Sequence, residues 1–264
     1  MFDTAIYLRR LGFSGPVEPT VDALRQLHLG HLRRVPYDNS TFPEGGGALP
    51  DNLADLDQDA TFDKIVVRGL GGMCFELSLL FQRLLDELGF DTMAVAAGVI
   101  QDRGTFSPEL SHKFIVVNAE GRQWLVDVGF SGPAYLEPLR LSSEVQCQYG
   151  CEFRVAAHDG RHTVLRRSRS ADWLPIYRFA LLERKPDEWD GFTATFEQYL
   201  DESVMASTTM ICRAVENGHH ALVGRRYLVV EDGYEKLTAL TDRAAYERVV
   251  DHILHPGDDE GGRS

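Results

Sequence analysis

Between Leu77 and Leu88 apolar side chains return every three or four residues (Leu77, Leu80 or Phe81, Leu84, Leu88). That spacing lines one face of a buried α-helix, and Gly89 follows as a left-handed stop. The same period marks Ala5–Leu11, closed by Gly12, and a helix from Val21 to Val35, with Thr20 as its cap and Pro36 beyond its end. Residues 43–60, rich in Gly, Pro and Asp, read as a loop. From Met93 the pattern changes to β-rich runs punctuated by Gly, Asp and Pro: Met93–Ile100, Lys113–Val117, Gln123–Val128, Gln146–Ala156 and Thr163–Arg167. This middle third reads as a small antiparallel barrel. A strand around Pro175 and a turn at Pro186–Asp190 lead to a mixed last third. It holds a short helix near Phe196–Leu200, strands around Leu222–Val230, and a terminal helix capped by Thr241 or Asp242 that carries Ala245, Val249 and Ile253 inward.

Composition narrows the class of function. The 264 residues are 44% hydrophobic and 25% charged, with no apolar run near the ~20 residues a membrane span needs. The start, Met1-Phe2-Asp3-Thr4, shows no basic region followed by an apolar stretch, so a soluble, cytoplasmic protein is expected. A net charge of −13 argues against nucleic acid and anionic membranes as partners. The four cysteines, Cys74, Cys147, Cys151 and Cys212, are expected to be free thiols.

Cys74 falls in the first turn of the helix that begins the strongest periodic stretch. Unpaired backbone N–H groups and the positive end of the helix dipole favour a thiolate there, and Gly71-Gly72 just before it suggests close approach to the sulfur. Read alone, Cys74 fits a small buried apolar residue better than a reactive thiol, and it is the rest of the chain that shifts the balance. Two polar residues interrupt apolar strands downstream: His112 opens Lys113-Phe114-Ile115-Val116-Val117, and Asp127 sits inside Trp124–Phe130. A carboxylate buried in such a run needs a partner. If Ala119-Glu120 form a two-residue hairpin loop, Asn118 faces Gly121 and His112 faces Asp127; a three-residue loop with a bulge at Gly121 shifts the register by one. An aspartate on one imidazole nitrogen leaves the other free to take a thiol proton, so Cys74, His112 and Asp127 are compatible with a catalytic triad, and also with a structural His–Asp pair near a core cysteine.

Other histidines and cysteines are weaker candidates. Cys147, Cys151, His158 and His162 suggest a zinc site at first sight, but six residues separate Cys151 from His158, and His158–His162 reads better as a hairpin turn, so no metal is expected. His28 and His31 share a helix face and read as packing or surface residues. His219, His220, His252 and His255 read as loop and terminal residues.

The chain resembles the arylamine N-acetyltransferases. The likeness rests on Tyr7–Gly12, Leu27–Asn39, Gly71-Gly72-Met73-Cys74-Phe75-Glu76, Ser111-His112-Lys113, and Asp127–Gly132 running on to Leu141. It implies an α+β fold of three parts: a helical bundle (1–90) with Cys74, an antiparallel β-barrel (91–190) with His112 and Asp127, and an α/β lid (191–264). The chemistry implied is transfer of an acyl group, typically acetyl from acetyl-CoA as co-substrate with no tightly bound cofactor, to an arylamine through an acyl-cysteine. Tyr37, Phe75 and Phe130 are the candidates for an apolar acceptor pocket. Gly129, Ser131, Gly132, Ser207 and Thr208 are those for the donor, and Arg10 with Asp38 for a structural ion pair under the triad. Departures from the family pattern are Gly69-Leu70 before the glycine pair, Ser78 in place of an asparagine, Ser131, and a loosely matching Ser207–Ala214. They leave room for a related amide synthase, which takes a longer acyl chain from a carrier protein or CoA. A cysteine hydrolase shares the order of the three residues, but His112 follows Cys74 by 38 positions, far short of the ~130 of papain-like enzymes. A non-enzymatic binding module predicts no special reactivity at Cys74.

Overall fold

A computed structural model describes residues 1–40, 56–101, 104–169, 171–189, 191–195, 198 and 208–255. Helix α1 (Thr4–Arg10) begins at Asp3, whose carboxylate accepts the Ile6 N–H, and α2 (Val21–Arg34) begins at Thr20, which accepts from Ala23. Strand β1 (Tyr37–Asp38) follows. The expected loop ends earlier than its composition suggests. Asp57 caps α3 (Gln58–Phe62), which runs straight into a π-helical turn, Asp63–Val67. Helix α4 (Cys74–Glu87) comes next, and Gly89 beyond it has φ +84°, the left-handed stop that its position foretold.

The central sheet has eight antiparallel strands: β2 (Asp91–Val99), β3 (His112–Ala119), β4 (Arg122–Val126), β5 (Leu139–Arg140), β6 (Gln146–Gln148), β7 (Cys151–His158), β8 (Arg161–Arg167) and β9 (Leu174–Phe179). Their order is β5-β4-β3-β2-β9-β8-β7-β6. The run expected from Gln146 to Ala156 is two strands, because Tyr149 and Gly150 both take positive φ and turn the chain between them. The two edges of the sheet are joined by a side chain. The Gln146 amide accepts from the Arg140 N–H and donates to the Arg140 carbonyl, each at 2.9 Å, imitating a strand and nearly closing the barrel.

A second sheet, ordered β1-β10-β11-β12-β13, is built from β10 (Met210–Val215), β11 (Gly218–Val223), β12 (Arg226–Glu231) and β13 (Tyr234–Ala239). Helix α5 (Arg243–Leu254), capped by Asp242, packs Ile253 against Ile211 and Leu222. Arg213 donates to the Ile253 and His252 carbonyls at the helix's C-terminal end, where positive charge is favoured. The helix expected at Phe196–Leu200 lies, apart from Gln198, outside the described residues. No helix among the described residues is long and apolar enough to cross a membrane.

Strand β3 is buried on both faces, so its apolar run lacks alternation. Ile115 and Val117 join the core of α1, α2 and α4, whereas Phe114 and Val116 join the barrel core. By the period of two, His112 belongs to the barrel face and Lys113 to the helix face.

Candidate active site

Cys74 is the first residue of α4, and its neighbours are fixed before the helix begins. The Glu76 carboxylate accepts the Met73 N–H (3.0 Å) and pairs with Lys64 from the π-helical turn (2.7 Å), both charges almost fully buried. Gly71 and Gly72 serve packing within the chain. A Cβ on Gly71 would lie 2.7 Å from the Pro36 carbonyl oxygen and from the Asp38 Cβ, and one on Gly72 would lie 2.8 Å from the Ile65 Cδ1. The approach to the sulfur expected through these glycines is filled by the chain itself.

The β3–β4 hairpin turns at Glu120 and Gly121, both left-handed (φ +51° and +70°), not at Ala119 and Glu120. Asn118 therefore pairs with Gln123, and the ladder is displaced by two residues from the expected register. A slip of two keeps every side chain on its face, so His112 and Asp127 still meet, diagonally. His112 Nε2 lies 2.7 Å from Asp127 Oδ2. The other carboxylate oxygen, Oδ1, accepts the Gly129 N–H at 3.0 Å. Gly129 in turn lies against Cys74, where a Cβ would sit 2.6 Å from the Cys74 Cα. The sulfur is 4.0 Å from the Ser111 carbonyl oxygen.

His112 is 3% exposed. Burial alone would lower its pKa, but the Asp127 charge and hydrogen bond, together with the influence of Cys74, push it up to about 10. With Nε2 on Asp127, Nδ1 is the nitrogen left for the sulfur. Around the imidazole stand Tyr177, Phe130 and Phe114, with ring centroids at 5.4, 5.8 and 6.3 Å.

The other expected site residues are scattered. Phe130, half-buried, meets His112 edge-on; Phe75, 1% exposed, lies in the helical core. Tyr37 is buried and pairs with Cys212. It shares with Phe130, Asp127 and Gly132 a cavity of about 10 Å³, room for a single water at most. The Gly129 N–H is engaged by Asp127 and is therefore not open to a donor phosphate. Ser131 and Gly132 follow in the same bend, and Thr208 is tied through its carbonyl to the Asn39 amide (3.0 Å). Ser207 lies outside the described residues. Arg10 donates to the Arg34 and Gly69 carbonyls, while Asp38 accepts from Ser40, so the expected Arg10–Asp38 ion pair is not formed.

Cys147, Cys151, His158 and His162 lie along the β6–β7–β8 meander, and Asp159-Gly160 make the turn between His158 and Arg161. No cluster of three or more potential ligands is placed to hold a metal among the described residues. The four cysteines form no disulfide. His219 and His220 belong to strand β11, not to a loop, and His252 lies in the terminal helix α5 with His255 at its C-terminal cap.

Sequence reasoning missed His28. It is fully buried, its Nδ1 lies 2.9 Å from the Leu136 carbonyl oxygen, and its Nε2 receives the Asp127 N–H at 3.2 Å. The available signal was its place on the apolar face of α2 with Leu24 and Leu27, where an imidazole must find partners. Ser78, one turn after Cys74 and in the place of the family's asparagine, donates its hydroxyl to the Lys113 carbonyl at 2.8 Å and ties α4 to β3.

Known proteins share this arrangement of the chain. Residues 20–255 match the family model described as N-acetyltransferase. Proansamycin X synthase of Amycolatopsis mediterranei is 35% identical over 96% of this chain and 97% of its own. The arylamine N-acetyltransferase / N-hydroxyarylamine O-acetyltransferase of Salmonella typhimurium is 34% identical over 80% of this chain and 73% of its own. Among solved structures, the arylamine N-acetyltransferase of M. tuberculosis superposes with a TM-score of 0.81 at 26% identity, covering 99% of this chain and 96% of that one. The chain therefore belongs to the arylamine N-acetyltransferase family of acyl-transferring enzymes, which includes the related amide synthase.

Proposed function

We propose that this enzyme moves an acyl group from a thioester to an amine by way of an acyl-cysteine at Cys74. The observation that carries the reading is the buried His112, bonded on Nε2 to Asp127 at 2.7 Å, with Cys74 helping to raise its pKa. With the Cys74 proton already resting on His112 Nδ1, as the raised pKa of the imidazole favours, the sulfur attacks the thioester carbonyl. The donor's C–S bond breaks, and the leaving thiolate takes that proton back from the imidazolium. The amine then attacks the acyl-cysteine carbonyl, His112 removes the amine proton, and the Cys74 sulfur is released. Asp127 holds the imidazole in orientation throughout and stabilises its positive form. First-turn N–H groups of α4 are the oxyanion donors, aided by the helix dipole. Phe130, beside His112, is the apolar wall for the acceptor. The donor the family implies is acetyl-CoA, a co-substrate and not a resident cofactor.

A second reading is specifically supported: amide synthesis from a longer acyl chain on CoA or a carrier protein. It rests on the match to proansamycin X synthase along nearly the whole of both chains. Intact-mass measurement of the enzyme with acetyl-CoA, then with an arylamine, tests both. A +42 Da adduct on Cys74, an acetyl group replacing a proton, discharged by amine but not by water, supports acetyl transfer. Labelling only by longer acyl thioesters supports amide synthesis, rapid discharge by water supports hydrolysis, and no label by any thioester sinks the proposal.

A further inference from the structure

Asp127 lies one residue beyond the last ladder pair of β4, Val126 with Ile115, so no strand holds its backbone. Its N–H goes instead to an imidazole from another element: His28 of α2 at 3.2 Å. The other ring nitrogen of His28 reaches the Leu136 carbonyl oxygen at 2.9 Å, so one side chain spans both ends of the segment from Asp127 to Leu136. That segment carries Gly129, which touches Cys74, and Phe130, which touches His112. The ring is stacked on Tyr135 with centroids 5.8 Å apart and planes 19° apart.

The partners also decide the tautomer. A carbonyl oxygen only accepts, so Nδ1 carries the hydrogen and, in the neutral ring, Nε2 presents its lone pair to the Asp127 N–H. The Asp127 carbonyl oxygen, 3.0 Å from the same Nε2, would be engaged only by a doubly protonated ring. Burial holds the His28 pKa below its usual value, although the nearby Leu136 and Asp127 carbonyl oxygens and the Asp127 charge act the other way. The neutral ring is the form that fits.

Resting on the acyl-transfer reading, we propose that His28 is a positioning residue: by accepting the Asp127 N–H it fixes the direction from which the carboxylate meets His112 Nε2. Two isosteric halves of the imidazole separate this from simple core filling. In His28→Gln the side-chain Oε1 stands near the place of Nε2 and still accepts the Asp127 N–H. In His28→Asn the amide stands near Nδ1 and keeps only the Leu136 contact. Both lose the stacking on Tyr135.

The experiment measures the pH dependence of kcat and KM, the melting temperature, and the downfield proton resonance of the His112–Asp127 hydrogen bond, for wild type and both variants. Expected are similar losses of melting temperature in both. His28→Asn should lose at least about tenfold in kcat with little change in KM, a displaced ionisation in its pH profile, and the downfield resonance shifted or gone. His28→Gln should stay within about threefold of wild type and keep the resonance. Equal loss in both variants, loss in neither, or loss in His28→Gln alone overturns the proposal. Should neither variant fold, the wild-type protein decides: a through-hydrogen-bond nitrogen–nitrogen coupling between the Asp127 amide and His28 Nε2 is expected, and its absence overturns the assignment. If wild type is never acylated, the acyl-transfer reading fails by itself, and the resonance in the two variants still decides whether His28 sets the Asp127–His112 geometry.

Discussion

His112 and Asp127 meet across a diagonal of the sheet: Nε2 lies 2.7 Å from Oδ2, although the ladder ends at Ile115 and Val126, before either residue has a partner on the other strand. The pair is held by its side chains and by what surrounds Asp127, not by strand pairing. Replacing Asp127 with Asn keeps the shape but turns an acceptor that favours a protonated Nε2 into an amide that prefers to donate to it. The expected outcome is a fall in kcat of roughly 10³-fold or more, with acylation of Cys74 slowed to match. Steady-state kinetics and intact mass check it; a loss below about tenfold would mean that Asp127 does not orient His112.

Gly129 separates two backbones that nearly touch. An alanine there would place its Cβ 2.6 Å from the Cys74 Cα and 2.9 Å from its Cβ, whereas an alanine at Gly132 would meet only the Phe130 ring, at 3.3 Å. Backbone cannot yield as a ring edge can. Gly129→Ala is expected to cost about 1–3 kcal/mol and to slow acylation at least about tenfold, while Gly132→Ala stays close to wild type. Urea titration and the rate of thioester consumption test the contrast.

Lys64 and Glu76 form an ion pair at 2.7 Å, with side chains 3% and 6% exposed, and Glu76 also accepts the N–H of Met73 at the start of α4. Lys64→Met leaves the carboxylate without that ammonium. A loss of about 3–5 kcal/mol is expected, with a smaller loss for the double variant Lys64→Met, Glu76→Leu. A double-mutant cycle by urea unfolding measures the difference. If the two changes simply add, the pair is not coupled.

How much of this was readable beforehand depended on whether local sequence or distant packing decides the feature. Helix α4 and its glycine stop follow from periodicity within the segment. The β3–β4 hairpin was readable but its register was not, because Glu120 takes a left-handed conformation usually left to Asn, Asp or Gly. The slip of two spared the His112–Asp127 juxtaposition because the face repeats every two residues. Strand β13 gave no signal: all six of its residues are exposed, so there is no alternation to see. Helix α3 was hidden in a Gly-, Pro- and Asp-rich context. The bridging Gln146 amide and the imidazole of His28 depend wholly on residues remote in sequence.

Lys113 sits 6% exposed on the helix face of β3, its ammonium 5.8 Å from the centre of the Trp189 ring and with no carboxylate within 4 Å among the described residues. Burial draws its pKa down to about 8, while Cys74 and Asp86 act in the opposite direction. In the unfolded chain a lysine titrates near 10.4, so between about 8 and 10.4 the unfolded state holds more protons and stability rises with pH. The cost of burying the ammonium is therefore complete below pH 8 and vanishes above roughly 10.4. His112, with a folded pKa of about 10, contributes with the opposite sign, its stabilisation fading as pH rises through that value, so wild type alone mixes the two effects. The difference between Lys113→Met and wild type isolates the lysine. The variant is expected to be more stable at pH 7 by on the order of 2–3 kcal/mol, with its advantage shrinking steadily toward pH 9.5. Urea unfolding at several pH values measures that difference, and one that stays constant across the range would show that Lys113 holds its charge in the folded protein as easily as in water.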